Sequence, residues 1–145
     1  MFTHLLIATD GSELAAKAES TGLKLAKQLD ARVTAVTATE PWSAMTNGGT
    51  PAFDFPIANY EKAAARHAAA ILAKVHEAAA KLGVTCESAH VIDFAAEAII
   101  QTAKVKGCDL IVMASHGRRG VKQLLLGSQA QRVVSLSSLP VLVCR

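Results

Sequence analysis

Five short apolar runs alternate with stretches of helical periodicity, and this alternation constrains the fold more than any other feature of the chain. The runs begin near His4, Arg32, Val84, Asp109 and Pro140. Most are nearly continuous in aliphatic residues, as strands are when both faces of a parallel sheet are covered. Parallel strands joined by helices need right-handed crossovers, which place helices on both faces. The sequence therefore predicts an α/β fold: a single-domain, open, five-stranded parallel sheet, Rossmann-like in its layers.

Helix start and stop signals lie between these runs. Ser12 and Asp93 are residues that commonly cap the amino end of a helix, and Gly83 and Gly107 commonly follow its last turn. The run that starts at Val84 alternates more than the others, so we expect it at an edge of the sheet. The predicted helices run from Ser12 to about Leu29, from Ile57 to about Leu82, from Asp93 to Lys106 and from Gln129 to about Leu136.

The segment from Thr39 to Pro56 is a different kind of connection, rich in proline and glycine and carrying Trp42, Phe53 and Phe55. A connection of this length is usually functional or mobile. It leaves the carboxyl end of the second strand, so we expect a partly ordered flap over a ligand site. The alternative is a disordered linker whose aromatic residues pack locally.

The connection between the fourth strand and the last helix has the features of an anion site. Gly117 and Gly120 can take positive φ at little cost, so backbone N–H groups can face outwards. Gly127 lacks a Cβ where a ligand would approach, and Ser128 is a favoured N-cap with Gln131 in the capping-box position. Such a helix end favours a phosphate, although an ordinary connection with glycine turns would look the same. The spacing is neither a Walker A loop nor G-x-G-x-x-G.

Polar residues follow the first and fourth strands. Thr9 and Asp10 end one, and Ser115 and His116 end the other. If the two strands are neighbours, these residues line one crevice at the topological switch point, where open α/β sheets bind ligands.

Composition excludes several other functions. The 145 residues, 1–145, fit one domain, and the 51% hydrophobic content predicts a folded core. A net charge of +3 with 4% aromatic residues argues against nucleic-acid binding. No run approaches the roughly 20 apolar residues of a membrane span. Cys86, Cys108 and Cys144 lack zinc or C-x-x-C spacing, and the start lacks a signal-peptide pattern, so we expect reduced thiols in a cytoplasmic protein.

The chain resembles the universal stress proteins of the UspA superfamily. ATP-binding members of that family carry G-x-x-G, nine residues, then G-[S/T]. The matching residues here are Ala114 to Gly117, nine residues, then Gly127 and Ser128. Three further stretches match, Leu6 to Ser12, Asp109 to Gly117 and Pro140 to Val143, so the resemblance covers nearly the whole chain. It implies strand order 3-2-1-4-5 and a homodimer, which we predict through Pro140 to Cys144 because an apolar edge strand invites pairing with a second chain.

Two positions depart from the family pattern. Ala114 stands where the pattern has its first glycine. If that position needs positive φ, alanine costs on the order of 1 kcal/mol. If it needs only close approach, a methyl group is tolerated. Ala38 stands where the family often has valine against the adenine, which implies a roomier base pocket.

The resemblance also implies the ligand, ATP with or without Mg²⁺, and a role for each site residue. Asp10 would lie near the ribose or adenine, with Ala8 and Thr9 beside it, and Ala38 and Met113 would flank the base. The simpler alternatives are that Asp10 caps a turn, that Met113 belongs to the core and that His116 bonds a loop carbonyl. Backbone N–H groups and the Ser128 hydroxyl would meet the phosphates, from His116, Gly117, Gly127, Ser128, Gln129 and Ala130.

The chemistry expected of such a site is limited. Phosphoryl transfer needs metal ligands and a group that orients the nucleophile. Asp10 is the only carboxylate that the sequence places near the site, and no P-loop lysine is present. We therefore expect a nucleotide-binding, dimeric stress-response or regulatory protein with at most slow ATP hydrolysis and no catalytic residues. The alternatives are a dimeric interaction protein that binds no nucleotide, and a weak ATPase or nucleotidyl-transfer enzyme.

Overall fold

The computed structural model describes residues 1–45, 57–117 and 125–145, and these residues form the predicted α/β sheet. Every strand pairing is parallel, and the order is β3-β2-β1-β4-β5, which confirms both the strand order and the two predicted edge strands. The elements, in chain order, are β1 (His4–Ala8), α1 (Glu13–Leu29), β2 (Arg32–Thr39), α2 (Trp42–Met45), α3 (Ile57–Leu82), β3 (Cys86–Ile92), α4 (Ala95–Lys106), β4 (Leu110–Ala114), α5 (Ser128–Leu136) and β5 (Val141–Cys144).

Two apolar layers sandwich the sheet, because successive side chains of a strand point to opposite faces. Leu5 and Ile7 of β1 pack with α1 and α3 on one face. Leu6 and Ala8 pack with α4 and α5 on the other. The central strands β1 and β4 are buried along their whole length, which explains why their sequences are continuously apolar.

The predicted helix ends agree with the structure at α1 and at the carboxyl ends of α3 and α4, and they differ at the amino ends of α4 and α5. The Ser12 hydroxyl accepts a hydrogen bond from the Ala15 N–H at 3.2 Å and begins α1. The left-handed φ values of Gly83 and Gly107, +68° and +69°, end α3 and α4. The prediction that Asp93 caps α4 is wrong.

Phe94 occupies the N-cap position of α4 and has no side-chain cap. The Asp93 carboxylate instead accepts from the adjacent Phe94 N–H at 2.8 Å, so it does not reach the first turn.

The first part of the predicted flap is ordered against α3. Trp42 begins the short helix α2, and its ring centroid lies 5.0 Å from that of Tyr60. The Tyr60 hydroxyl donates to the Glu40 carbonyl at 2.7 Å. The rest of the predicted flap, 46–56, lies outside the described residues.

His4 is a buried ionisable group at the amino end of the sheet. Only 2% of its surface is exposed, and Nε2 lies 2.8 Å from the Thr34 hydroxyl. That hydroxyl donates to Glu87, so the His4 Nε2–H is the donor of the first bond. Nδ1 has no hydrogen-bond partner among the described residues. Burial, and secondarily the Arg32 cation, lower the pKa of His4.

The folded chain should therefore resist protonation of His4, whereas the unfolded chain takes up a proton below the ordinary imidazole pKa of about 6.5. The free energy of unfolding should fall as the pH drops from about 7 to 5, because the unfolded state binds more protons. Urea unfolding at a series of pH values measures this free energy. It should change less with pH in His4→Gln than in the native chain. Both proteins retain the same carboxylates, so the contribution of those groups cancels in the comparison. Equal slopes of the free energy of unfolding against pH in the two proteins would contradict this account.

Candidate ligand-binding site

A cavity of about 370 Å³ lies at the carboxyl ends of β1, β2 and β4, bordered by α4 and α5. Pockets for small organic ligands begin at roughly this size, about 300 Å³. The structure brings every sequence-predicted site residue to the wall of this one cavity: Ala8, Thr9, Asp10, Ala38, Met113, Ala114, His116, Gly117, Gly127, Ser128, Gln129 and Ala130. The wall also includes Ser115, which the sequence placed at the crevice, and residues that the sequence did not indicate: Ala15, Val36, Glu40, Ala95 and Ile99.

The cavity has an apolar side and a polar side. Val36 and Ala38 of β2 and Ala95 and Ile99 of α4 contribute the apolar side. The short side chains at positions 38 and 95 leave room for a flat group between the sheet and the helix. The polar side is formed by the end of β4 and the start of α5, on the far side of β1 from β2.

The amino end of α5 differs from the sequence prediction. Gly127 is the N-cap residue, and no side-chain hydrogen bond caps the helix. Ser128 is the first helical residue, so the predicted capping box of Ser128 and Gln131 is wrong; the Gln131 N–H donates to the Gly127 carbonyl at 2.9 Å. The backbone N–H groups of the first turn, which have no acceptor within the helix, are left for a ligand. They belong to Ser128, Gln129 and Ala130, all of which line the cavity.

Two other helix amino ends approach the same cavity, and side chains satisfy both. Ser12 caps α1. The Gln129 side-chain oxygen accepts from the Ala96 N–H in the first turn of α4 at 3.1 Å. Gln129 therefore belongs to the site through its backbone, while its side chain joins α5 to α4. Of these three helices, α5 is the one whose positive dipole end is best placed to favour an anion.

Close approach, and not positive φ, explains the glycines of this site. The Gly127 N–H donates to the Ser115 carbonyl at 2.8 Å, and a Cβ on Gly127 would lie 2.8 Å from that same oxygen. A Cβ on Gly117 would lie 2.6 Å from Oδ2 of Asp10. Gly117 does not have positive φ, so that prediction is wrong. Gly120 lies outside the described residues.

Ala114 fits its position without backbone strain. It is the last residue of β4, and it does not have positive φ. The alternative in which alanine here costs conformational energy is therefore wrong. The methyl group forms part of the cavity wall and is 9% exposed.

The polar side chains are held by short-range hydrogen bonds. Asp10 Oδ1 accepts from the Ser12 N–H at 2.9 Å, which supports the turn before α1. The Thr9 hydroxyl donates to Glu19. Burial raises the pKa of Glu19, the Thr9 bond opposes this shift, and the Asp10 charge adds to it. His116 Nδ1 lies 3.1 Å from the Ser115 hydroxyl.

The carboxylates around the site are more numerous than expected. Glu40, just beyond the end of β2, lines the cavity, and Glu19 accepts a hydrogen bond from Thr9, which also lines it. The expectation that Asp10 is the only nearby carboxylate is therefore wrong. Among the described residues, no group of three or more His, Cys, Asp or Glu side chains could hold a metal ion. Over those same residues, no helix is long and apolar enough to cross a membrane.

Comparisons with a family model and with individual known proteins identify the same family. The model of the universal stress protein family matches residues 1–145. The chain is 33% identical to universal stress protein YxiE of Bacillus subtilis over a 148-residue alignment that covers 100% of each chain. Its fold is similar to that of universal stress protein UspA from Lactobacillus plantarum, with a TM-score of 0.86, 23% identity and coverage of 99% of this chain and 98% of that one.

Two further solved structures with this fold contain nucleotides. One is a universal stress protein in complex with cAMP, with a TM-score of 0.74, 23% identity and coverage of 99% and 97% of the two chains. The other is a universal stress protein family protein from Arabidopsis thaliana with AMP bound, with a TM-score of 0.68, 15% identity and coverage of 98% and 90%. At these identities the likeness shows the fold alone.

The contact at Gly127 predicts a difference between two Gly→Ala variants. In Gly127→Ala the new methyl group meets a backbone carbonyl that cannot rotate away, so the free energy of unfolding should fall by about 1–3 kcal/mol. In Gly117→Ala it meets the end of the Asp10 side chain, which can turn, so the loss should be smaller. Urea unfolding of both variants and the native chain measures this. Equal losses would show that the Ser115 carbonyl is not a fixed obstacle.

Proposed function

Because the chain belongs to the universal stress protein family, we propose that it binds an adenine nucleotide, with ATP as its ligand, in the cavity between β1 and β4. The observation that carries this proposal is the first turn of α5, which has no side-chain cap and whose three residues Ser128, Gln129 and Ala130 line a cavity with an apolar side. An anionic group and a flat apolar group on one ligand match those two features. The cAMP and AMP in two structures of the same fold support this class of ligand.

The phosphates would bind at the start of α5. Backbone N–H groups of a helix terminus carry the positive end of the dipole and bind anions without a cationic side chain. The Ser128 hydroxyl adds one donor, and His116 and Gly117 line the wall beside it. Mg²⁺ would enter with the phosphates of ATP, as this ion usually does.

The base would bind on the apolar side of the cavity. Val36 and Ala38 would lie on one side of the ring and Ile99 on the other, with Met113 in the wall near β4. The ribose would then lie over the end of β1, where Asp10 can accept hydrogen bonds from its hydroxyl groups. This arrangement uses every side of the cavity.

The site is better suited to binding ATP than to cleaving it. None of the described residues that line the cavity is a lysine or an arginine. Transfer of a phosphoryl group needs both charge stabilisation and an oriented nucleophile. We therefore propose a regulatory role for nucleotide occupancy, with at most slow hydrolysis.

We also propose that the protein is a homodimer that pairs through β5. This strand is a sheet edge with only half-buried side chains. The Pro140 and Cys144 carbonyls accept from β4, at Ile111 and Ser115. Backbone groups alternate along a strand, so the N–H and C=O groups of Val143 point away from β4. They would be available to a second copy of the strand.

The nucleotide proposal is tested by removing one backbone N–H at Ser128. Proline is favoured at the first position of a helix, and Gly127 already has the extended conformation, ψ 158°, that a residue before proline needs. Ser128→Pro should therefore fold but lose a phosphate donor and the hydroxyl. Ser128→Ala, the control, loses the hydroxyl alone. We expect ATP affinity by calorimetry to fall about tenfold further in the proline variant than in the alanine variant.

Equal ATP affinities of Ser128→Pro and Ser128→Ala would refute phosphate binding by the backbone N–H groups of the first turn of α5. If the native chain binds no ATP at millimolar concentration and releases none when the purified protein is denatured, it is instead a family member that acts without nucleotide. Turnover of ATP well above background would overturn the regulatory assignment.

The dimer is tested at the outward-facing N–H of Val143. Val143→Pro deletes that donor at a sheet edge, where proline is tolerated, and leaves pairing with β4 intact. Light scattering at micromolar concentration should give a dimer for the native chain and for Val143→Ala, and a monomer for Val143→Pro. A monomeric native chain would contradict the proposal.

A further inference from the structure

We propose that Glu40 selects the base of the nucleotide by accepting a hydrogen bond from the 6-amino group of adenine. This inference rests on the proposed function. Glu40 lines the cavity, yet the binding scheme derived from the helix end and the apolar wall gives it no task. The carboxylate is an acceptor only, so it discriminates between a base that presents an amino group and one that presents a carbonyl oxygen.

The order of the strands places Glu40 at the end of the cavity where the base binds. The order is β2-β1-β4, with α5 beginning beyond the end of β4. A nucleotide with its phosphates at Ser128 would extend across β1 towards β2. Its ribose would then lie near Asp10, and its base would reach the end of β2, where Glu40 follows Thr39.

The backbone at Glu40 is held in place by an aromatic pair. The Tyr60 hydroxyl donates to the Glu40 carbonyl at 2.7 Å, and the ring of Tyr60 lies against Trp42 with centroids 5.0 Å apart. Burial, and secondarily the Glu40 charge, raise the pKa of Tyr60, so the hydroxyl remains a protonated donor at neutral pH. Tyr60 is therefore a positioning residue for Glu40.

An acceptor at this place predicts a preference for ATP over ITP, which carries an oxygen in place of the amino group. The carbonyl oxygen of ITP would face the Glu40 carboxylate with no proton between them. Because a hydrogen bond to a charged group is worth enough to change affinity about tenfold or more, we expect a ratio of dissociation constants of about that size.

The test compares the dissociation constants of ATP and ITP in the variant Glu40→Gln; their ratio is called the ATP-to-ITP ratio below. An amide can accept from the amino group of ATP or donate to the oxygen of ITP, so the ratio should fall to about twofold. Removing a negative charge strengthens binding of both anions, and the ratio cancels that effect. Glu61→Gln on α3, an exposed carboxylate that does not line the cavity, makes the same change in net charge and should keep the native ratio.

The outcomes separate this inference from the function on which it rests. If the native chain binds no ATP, the proposed function fails. If it binds ATP but Glu40→Gln keeps the native ATP-to-ITP ratio, the assignment of Glu40 is overturned and the proposed function stands. If Glu40→Gln changes the ratio of the dissociation constants of ATP and 2′-deoxyATP but not that of ATP and ITP, Glu40 contacts the ribose. That result would also overturn the assignment.

Tyr60→Phe tests the positioning role. It keeps the ring against Trp42 and removes only the hydroxyl. The ATP-to-ITP ratio should fall part of the way towards that of Glu40→Gln. An unchanged ratio would show that Tyr60 does not position Glu40.

Discussion

A backbone hydrogen bond from the Gly127 N–H to the Ser115 carbonyl connects the two sides of the site. It joins the end of β4 to the start of α5 across the connection that separates them in sequence. A side chain on Gly127 would collide with the same carbonyl, so the bond requires glycine. Ser115 in turn donates to Cys144 at 2.7 Å, which ties the site to the edge strand β5. The position of the α5 amino end, and with it the proposed phosphate site, depends on this chain of backbone contacts.

The second constraint is topological. Strands β1 and β4 are neighbours, and the connections that leave them turn to opposite faces of the sheet: α1 packs beside Leu5 and Ile7, and α5 beside Leu6 and Ala8. A crevice opens where connections diverge in this way, and ligands of open α/β sheets bind there. The small side chains of Ala8, Ala38 and Ala114 keep the crevice open, since each ends at a Cβ. The strand order thus determines where the cavity lies, and the small alanine side chains determine its volume.

Periodicity was sufficient to predict the alternation of strands and helices, and the resemblance to the family was sufficient to predict the strand order and the residues that meet at the cavity. The sequence was insufficient where two good local signals competed. Ser128 looked like an N-cap, yet the close approach to Ser115 places Gly127 there and shifts Ser128 into the helix. Glu40 was missed because it was included in the long connection after β2, although it directly follows a strand whose carboxyl end borders the cavity.

Backbone and side chains divide the work of recognition in the proposed site. In this proposal the phosphates would meet N–H groups that every residue except proline possesses, so binding should survive most substitutions along the first turn of α5. The same donors bind one phosphate or three, and they carry little information about the rest of the ligand. Any preference among nucleotides must come from the few side chains at the other end of the cavity, of which Glu40 is the charged one. Selectivity among nucleotides is therefore expected to change by substitution at the end of β2, while the phosphate-binding N–H groups at the start of α5 stay the same.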